Sequence, residues 1–360
     1  MCQLSNVCKR SSYQVIINDF GKPNEVLEGV YVEVPNKLSS NQILLKVLMS
    51  PINPSDINMI EGTYHIKPSL PAVAGNEGVG EILEVGGAVQ DHQVGERVIY
   101  SVADRSQCQL GAGTWRQFSI VNETNIIKVP SNISLIGAAT LAVNPCTAYR
   151  MLKDFVKLKT DDVIIQNGSN SAVGQYIIQL CKYWGIKTIN IIRGRQEDEK
   201  EQLVGHLQNL GADIILTEED RKKGALKDIL KSLPEKPKLA LNCVGGDSSA
   251  HLVNSLRQKG VIVTYGGMSK RPVMIPTGAA IFKQITAHGY WNTEWMKDYK
   301  NSPERMEMIT ELCDYLDKGI IKTPKAELFY IKDFKTAVSE SLKEFKTSKK
   351  VLVMDETLKC

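Results

Sequence analysis

Small polar residues that close an apolar run and open a helical pattern can hold a phosphate, and residues 162–195 (DVIIQNGSNSAVGQYIIQLCKYWGIKTINIIRGR) have that layout. Asn167 to Ser171 follow the short run Val163 to Ile165. Val173, Ile177, Leu180, Cys181 and Trp184 then fall on one helical face, with Gly185 where a C-cap belongs. A β-branched run, Thr188 to Ile192, comes next. Strand, tight turn, helix and strand in about 30 residues make a βαβ unit of the dinucleotide-binding kind. Its helix N-terminus offers N–H groups and a positive dipole end to a pyrophosphate. Aligned on Gly174, the G-x-G-x-x-G fingerprint reads Ser169, Ser171, Gly174, so only the last glycine is kept. Taken alone, that is equally an ordinary βα turn with no ligand. About 20 residues on, where an NAD-binding unit places an acid, the chain has Arg193-Gly194-Arg195. Two guanidinium groups suit a ribose 2′-phosphate and so favour NADP; a solvated basic strand end is the alternative.

Other residues could work beside that unit. The segment PINPSDINMIEGTYHIKPSLPAVAGNEG reads as a long loop stiffened by prolines 51, 54, 68 and 71, with Tyr64 and His65 near its middle. On local grounds Tyr64 is a structural loop aromatic and His65 a solvated histidine. Residues 134–156 read as helix, a break at Asn144-Pro145, and helix. Two later strands end in glycine pairs, Gly245-Gly246 and Gly266-Gly267, which bring backbone close to something at their carboxyl edge.

The whole chain sets the frame for these sites. Its 360 residues suffice for two domains, and 42% hydrophobic with 23% charged residues is ordinary for a soluble globular protein. A dispersed net charge of +4 gives no argument for nucleic acid. No apolar run reaches the ~18–20 residues that would span a membrane. Eight scattered cysteines without a C-x-x-C pair read as reduced core thiols. The N-terminus, MCQLSNVCKRSS, reads as a disordered tail or the remnant of a mitochondrial presequence.

Along the chain, residues 13–130 show short strand-like runs punctuated by Gly and Pro: Tyr13–Asn18, Ile43–Met49, Gly78–Val85, Arg97–Val102 and Phe118–Val121. After the βαβ unit, helix and strand alternate. Glu197 to Leu210 is helical, with strands at Asp213–Leu216, Lys238–Val244, Val261–Tyr265 and Ile285–Tyr290 and a long helix over Ser302–Lys318. The last 40 residues supply strand, helix and strand that return to the first domain.

With this layout the chain resembles the zinc-free medium-chain dehydrogenase/reductases, and within them the mitochondrial trans-2-enoyl-CoA/enoyl-acyl-carrier-protein reductases. The segments that carry the resemblance are SPINPSDINMIEGTY (50–64), GNEGVGEI (75–82), LAVNPCTAYRML (141–152), IQNGSNSAVGQ (165–175), TINIIRGR (188–195), LALNCVGG (239–246) and VTYGGMSKRPV (263–273). The resemblance implies an α/β chain in which a Rossmann-type doubly wound parallel sheet (143–318) is inserted between two parts (13–142 and 319–360) of a β-rich GroES-like catalytic domain, after a tail at 1–12. It implies NADPH-dependent reduction of enoyl thioesters in mitochondrial fatty-acid synthesis, with Tyr64 as catalytic donor. For the cofactor it implies Asn144 at the nicotinamide, Asn170, Ser171, Ala172 and Val173 at the pyrophosphate, and Arg193, Gly194 and Arg195 at the 2′-phosphate. Tyr265, Gly266, Gly267, Met268, Tyr290, Trp291, Asn292 and Lys349 complete the cofactor residues, with Trp291 also a candidate for the acyl pocket. Acyl carrier protein is implied as a transient partner and a homodimer as the assembly, with no nucleic acid and no membrane.

Where zinc-dependent relatives carry Cys and His, the chain reads Asn53-Pro54-Ser55 and Gly75-Asn76-Glu77, and Cys108 stands alone where a four-cysteine lobe would lie. Asn and Ser are poor zinc ligands, so no metal is expected. A quinone or alkenal reductase of the same superfamily is the alternative activity. A non-catalytic NADPH-binding regulator is the alternative of another class.

Overall fold

The computed structural model describes residues 10–101, 113–345 and 348–358. Cys2, Cys8, Cys108, Cys360 and most of the expected N-terminal tail lie outside them. The chain forms two compact units. The first runs to Val143 and resumes over Thr293–Asp317 and from Thr323 onward; the second is Asn144–Asn292 with Lys318–Lys322. The expected boundary near 143 falls at this division, but residues 293–317 group with the first unit rather than with the nucleotide-binding one.

The first unit opens with β1 (Ser11–Ile17), β2 (Leu27–Glu33), β3 (Gln42–Pro51), β4 (Ala72–Val73), β5 (Val79–Val85), β6 (Arg97–Tyr100), β7 (Phe118–Asn122) and β8 (Ile126–Lys128). The second carries β9 (Val163–Asn167), β10 (Lys187–Ile192), β11 (Ile214–Thr217), β12 (Leu239–Asn242), β13 (Val261–Thr264) and β14 (Thr286–Gly289). The chain then returns to the first unit with β15 (Ala326–Tyr330) and β16 (Lys349–Val353).

The second unit is a parallel sheet in the order β11-β10-β9-β12-β13-β14. Strand order reverses beside β9, and open α/β sheets bind ligands at such a switch point. Strands buried on both faces need continuous apolar runs; β9 and β12 are buried throughout, and β10 after its first residue. The helix Ala172–Trp184 buries Tyr176, Ile177, Ile178, Leu180 and Cys181 and ends at Gly185, whose φ of 70° is the left-handed C-cap glycine allows. β14, at the sheet edge, is exposed at all four residues.

In the first unit, β3 pairs antiparallel with β5, β7 and β16, and β16 pairs parallel with β15. This is the expected return of the C-terminal segment. Val15, Ile43, Leu45, Ile82, Trp115 and Leu352 are fully buried in its core. Two sequence expectations are corrected. The 51–78 segment is not all loop, because Pro54–Ile60 is a helix started by Pro54 at a position where a missing N–H costs nothing. Asn144-Pro145 is not a break either: these residues begin the helix Asn144–Asp154, and the interruption lies between Ala139 and Asn144.

Cys146, Cys181, Cys243 and Cys313 are buried free thiols, as read from their apolar segments. Among the described residues no helix is long and apolar enough to cross a membrane.

Candidate active site

In the second unit the turn after β9 is built by different residues from those the fingerprint suggested. Gly168 takes the positive φ, 58°, and an added Cβ there would lie 2.5 Å from Cys243 Sγ. The glycine of the tight turn is therefore present, one residue earlier than alignment on Gly174 placed it. Ser169 is fully buried and its hydroxyl donates to the carbonyls of Gln166 and Ile191, at 3.2 Å each. Ser171 is the N-cap, with Oγ accepting the Gly174 N–H at 3.1 Å. Ala172 and Val173 thus occupy the first turn, where N–H groups have no intrahelical acceptor. At Gly174 a Cβ would lie 2.6 Å from Ser169 O, so helix and turn pack closer than any side chain permits. Asn170 contributes its carbonyl to Gln175 Nε2, at 2.9 Å.

Arg193, Gly194 and Arg195 follow β10 at once, Arg193 exposed and the other two half-buried. Burial lowers the Arg195 pKa, with Glu199 opposing the shift. Glu219 lies over the Gly194 backbone: a Cβ at Gly194 would meet its Oε2 at 2.2 Å. That neighbour was not readable from the sequence.

Two asparagines knit the strand ends. Asn242 Oδ1 accepts from Asn167 Nδ2 (2.8 Å) and from the N–H groups of Val244 (3.2 Å) and Gly245 (3.0 Å), while Asn167 Oδ1 accepts the Cys243 N–H at 2.8 Å. Tyr265 follows β13, its N–H donating to Asn242 O at 3.0 Å. Its hydroxyl lies beside Cys243 and Ser171, and burial pushes the phenol well up. Ser171 and Tyr265, far apart in sequence, are thereby brought together. Gly266 is half-buried, Gly267 opens to free space, and Met268, 63% exposed, donates its N–H to Cys243 O at 2.9 Å. After β14, Tyr290 OH donates to Asn292 Oδ1 at 3.1 Å, and burial raises this phenol strongly. Trp291 is half-buried; Asn292 and Asn144, each the first residue of a helix, are buried.

Tyr64 and Lys349 belong to the first unit. The carbonyl of Asn58, in the helix Pro54–Ile60, accepts from the N–H groups of Thr63 (2.8 Å) and Tyr64 (3.0 Å), which pins the loop that carries the phenol. Tyr64 is half-buried and His65 exposed.

A buried polar cluster follows that the sequence reading noted only as lost zinc positions. Gly75 has φ 93°, and a Cβ there would lie 2.2 Å from Trp115 Cδ1, so the indole packs directly on this turn. The carbonyl of Glu77 is held by the hydroxyls of Ser50 (2.6 Å) and Thr114 (2.9 Å). Its carboxylate accepts from Asn53 Nδ2 at 2.7 Å and from the Val143 N–H at 3.0 Å. Asn53 Oδ1 in turn accepts from Lys349 Nζ. Burial raises the Glu77 pKa to about 7, against the pull of Lys349 and Asn53. Among the described residues no group of three or more His, Cys, Asp or Glu is arranged to hold a metal ion.

Comparison with known proteins adds the following. The alcohol dehydrogenase GroES-like domain family matches residues 39–131, and the zinc-binding dehydrogenase family matches residues 172–310. The mitochondrial enoyl-[acyl-carrier-protein] reductase of Xenopus tropicalis is 42% identical over 342 residues, 94% of this chain and 95% of that protein. The structure of an Etr1p/NADP/crotonyl-CoA complex superposes with a TM-score of 0.85 at 33% identity, over 96% of this chain and 100% of that one. The mitochondrial 2-enoyl thioester reductase Etr1p/Etr2p heterodimer of Candida tropicalis gives 0.86 at 33% identity with the same coverage. The Escherichia coli quinone oxidoreductase complexed with NADPH matches at 0.80 but is only 24% identical, over 95% of this chain and 99% of that one, a likeness of fold.

Proposed function

Because the chain belongs to the mitochondrial enoyl-acyl-carrier-protein reductases of the medium-chain dehydrogenase/reductase superfamily, we propose that it reduces trans-2-enoyl thioesters to saturated acyl thioesters with NADPH, in mitochondrial fatty-acid synthesis. The observation that carries this reading is the β9 turn and its surroundings. A capped helix start at Ala172, beside the switch point of the sheet and one strand from Arg193 and Arg195, fits a 2′-phosphorylated dinucleotide.

When bound, NADPH supplies a hydride to the substrate β-carbon. The protein's part is to hold and polarise. The amides of Ala172 and Val173 bind the pyrophosphate, the two arginines bind the 2′-phosphate, and Asn144, Tyr265 to Met268, Tyr290 to Asn292 and Lys349 shape the remaining cofactor contacts. Tyr64 donates a hydrogen bond to the thioester oxygen. As the β-carbon gains hydride that oxygen becomes an enolate, so the bond strengthens in the transition state. Protonation at the α-carbon completes the reduction.

The chemistry needs no zinc. In the two stretches where zinc-dependent relatives carry ligands, Asn53 and Glu77 bond to each other, and Asn53 also accepts from Lys349. A thioester-linked substrate on acyl carrier protein or CoA fits the family, and a quinone reductase activity is supported by fold alone. A homodimer is the assembly read here. The exposed edge of β14 lies in a unit that also exposes Val273, Met274, Ile281 and Phe282, the last by 79%, an apolar surface of the kind a second copy covers.

Steady-state kinetics with crotonyl-CoA, a long enoyl-CoA and a quinone, each with NADPH, tests the assignment. Thioester turnover far above quinone turnover supports it, and the reverse overturns it.

A further inference from the structure

The cluster around Glu77 has a polarity that one arrangement alone satisfies. An ammonium can only donate and an ionised carboxylate can only accept. The Asn53 amide between them therefore turns Oδ1 to Lys349 Nζ and Nδ2 to Glu77, whose other oxygen takes the N–H of Val143. Val143 immediately precedes Asn144. Glu77 has no exposed surface, and Asn53 is 2% exposed. The Asp56 carboxylate accepts the Asn53 N–H at 2.7 Å, which fixes the backbone that carries the amide. Burial works against both charges: it raises the carboxyl of Glu77 to about 7 and lowers the ammonium of Lys349, while each charge favours the other. Buried charges linked in this way contribute little to stability compared with apolar packing, but removing one member leaves the rest unsatisfied.

We infer that Glu77 is a positioning residue that acts through the Asn53 amide to fix the ammonium of Lys349. The functional consequence rests on the reading of Lys349 as a cofactor residue given above. A side chain at the start of β16 is flexible by itself; held by Asn53, its charge stands at one place before the cofactor arrives.

The test moves the charge by one position. In Glu77→Gln the new NH2 group faces a donor, either Val143 N–H or Asn53 Nδ2. If Asn53 turns over to relieve the clash, it presents NH2 to Lys349 and releases the ammonium. Combining Glu77→Gln with Asn53→Asp restores every bond: the carboxylate at 53 accepts both from Lys349 and from the amide at 77. At about pH 8, Glu77→Gln should raise the KM for NADPH roughly 10-fold with kcat within about threefold, and the double variant should return KM to within about threefold of the parent. Crystal structures should find Lys349 Nζ displaced from residue 53 in the single variant and back on it in the double. An unmoved Nζ with unchanged KM in Glu77→Gln overturns the inference, as does a double variant that fails to recover. If the single variant does not fold, recovery of both fold and KM in the double supports the inference, and failure of both overturns it. Lys349→Ala is measured in parallel. An unchanged KM there removes Lys349 from the cofactor residues, while the position of Nζ in the Glu77→Gln crystal still decides whether Glu77 positions it.

Discussion

Asn167 donates to Asn242 across the tips of β9 and β12 at 2.8 Å, between residues 75 positions apart in sequence. One oxygen of Asn242 also gathers the N–H groups of Val244 and Gly245, so it shapes the turn that follows β12. Asn242→Ala leaves three donors short of an acceptor in a buried place. The variant should be about 2–4 kcal/mol less stable in urea denaturation and should bind NADPH more weakly. A stable variant with normal binding would remove the shaping role.

Arg193 and Arg195 should make NADPH strongly preferred over NADH. A charge-assisted hydrogen bond contributes about 1.5–3 kcal/mol, so losing either arginine should raise the KM for NADPH roughly 10–100-fold. Replacing both with Ala should leave NADH kinetics nearly unchanged. Equal use of the two cofactors by the parent protein would refute the assignment.

Tyr64→Phe keeps the ring and removes the hydroxyl. Turnover with crotonyl-CoA should fall roughly 10²–10³-fold while NADPH affinity changes little, as expected for loss of an oxyanion donor. His65→Ala, at an exposed position next to it, should be near neutral. The reverse pair of results would transfer the role to His65.

Glu77 predicts a stability profile with pH. Its carboxyl sits at about 7 in the fold, against 4.5 for an ordinary one, because burial disfavours its charge. Between those values the native state keeps a proton that the unfolded chain releases, so stability falls as pH rises. This contribution is full below about pH 4.5 and gone above about pH 7, a change on the order of 3 kcal/mol. Lys349, Asn53 and the Val143 N–H face the same group and moderate the shift, while the Asp56 charge adds to it. Urea midpoints of the parent should decline over this interval, and those of Glu77→Gln should decline less. Equal slopes would show that Glu77 titrates as an ordinary carboxylate.

An Ile281→Glu/Phe282→Glu variant tests the assembly. Both residues are exposed in the helix Thr277–Phe282, so the monomer fold should tolerate the change. Sedimentation should show a dimeric parent and a monomeric variant. A monomeric parent would discard the homodimer.

The parallel sheet was legible because buried parallel strands need apolar runs, and residues 163–165, 239–241 and 261–263 supply them. In β10 the buried Asn190 interrupts the run and is bonded to Gln166 of β9. β2 was not legible, since Leu27–Glu33 is mostly exposed, its Val30, Tyr31 and Val32 are consecutive rather than alternating with polar residues, and it gains its strand character from pairing with β1. The helix Pro54–Ile60 was hidden by Pro51 and Pro54, which signal a turn locally although Pro54 starts the helix. The helix start at Ser171 and the strand end before Arg193 and Arg195 could be placed because their local order carries meaning. The bond from Lys349 to Asn53 joins residues 296 positions apart, and no window of sequence contains it. Glu77 in GNEGVGEI left only a faint signal, an acid set among glycines.

The turn after β9 is also stiffer than a run of glycines would be. Only Gly168 needs the left-handed region, and Ser171 sits at an ordinary extended φ of −66°. Each glycine exchanged for a residue that can adopt the native angles removes conformations from the unfolded chain, an effect of about 0.4–1 kcal/mol. The two serines therefore narrow the disorder that must be lost on folding, before any ligand is present. A turn settled at that stage leaves less ordering to be done when a ligand arrives, so part of the cost of binding is met while the chain is still folding.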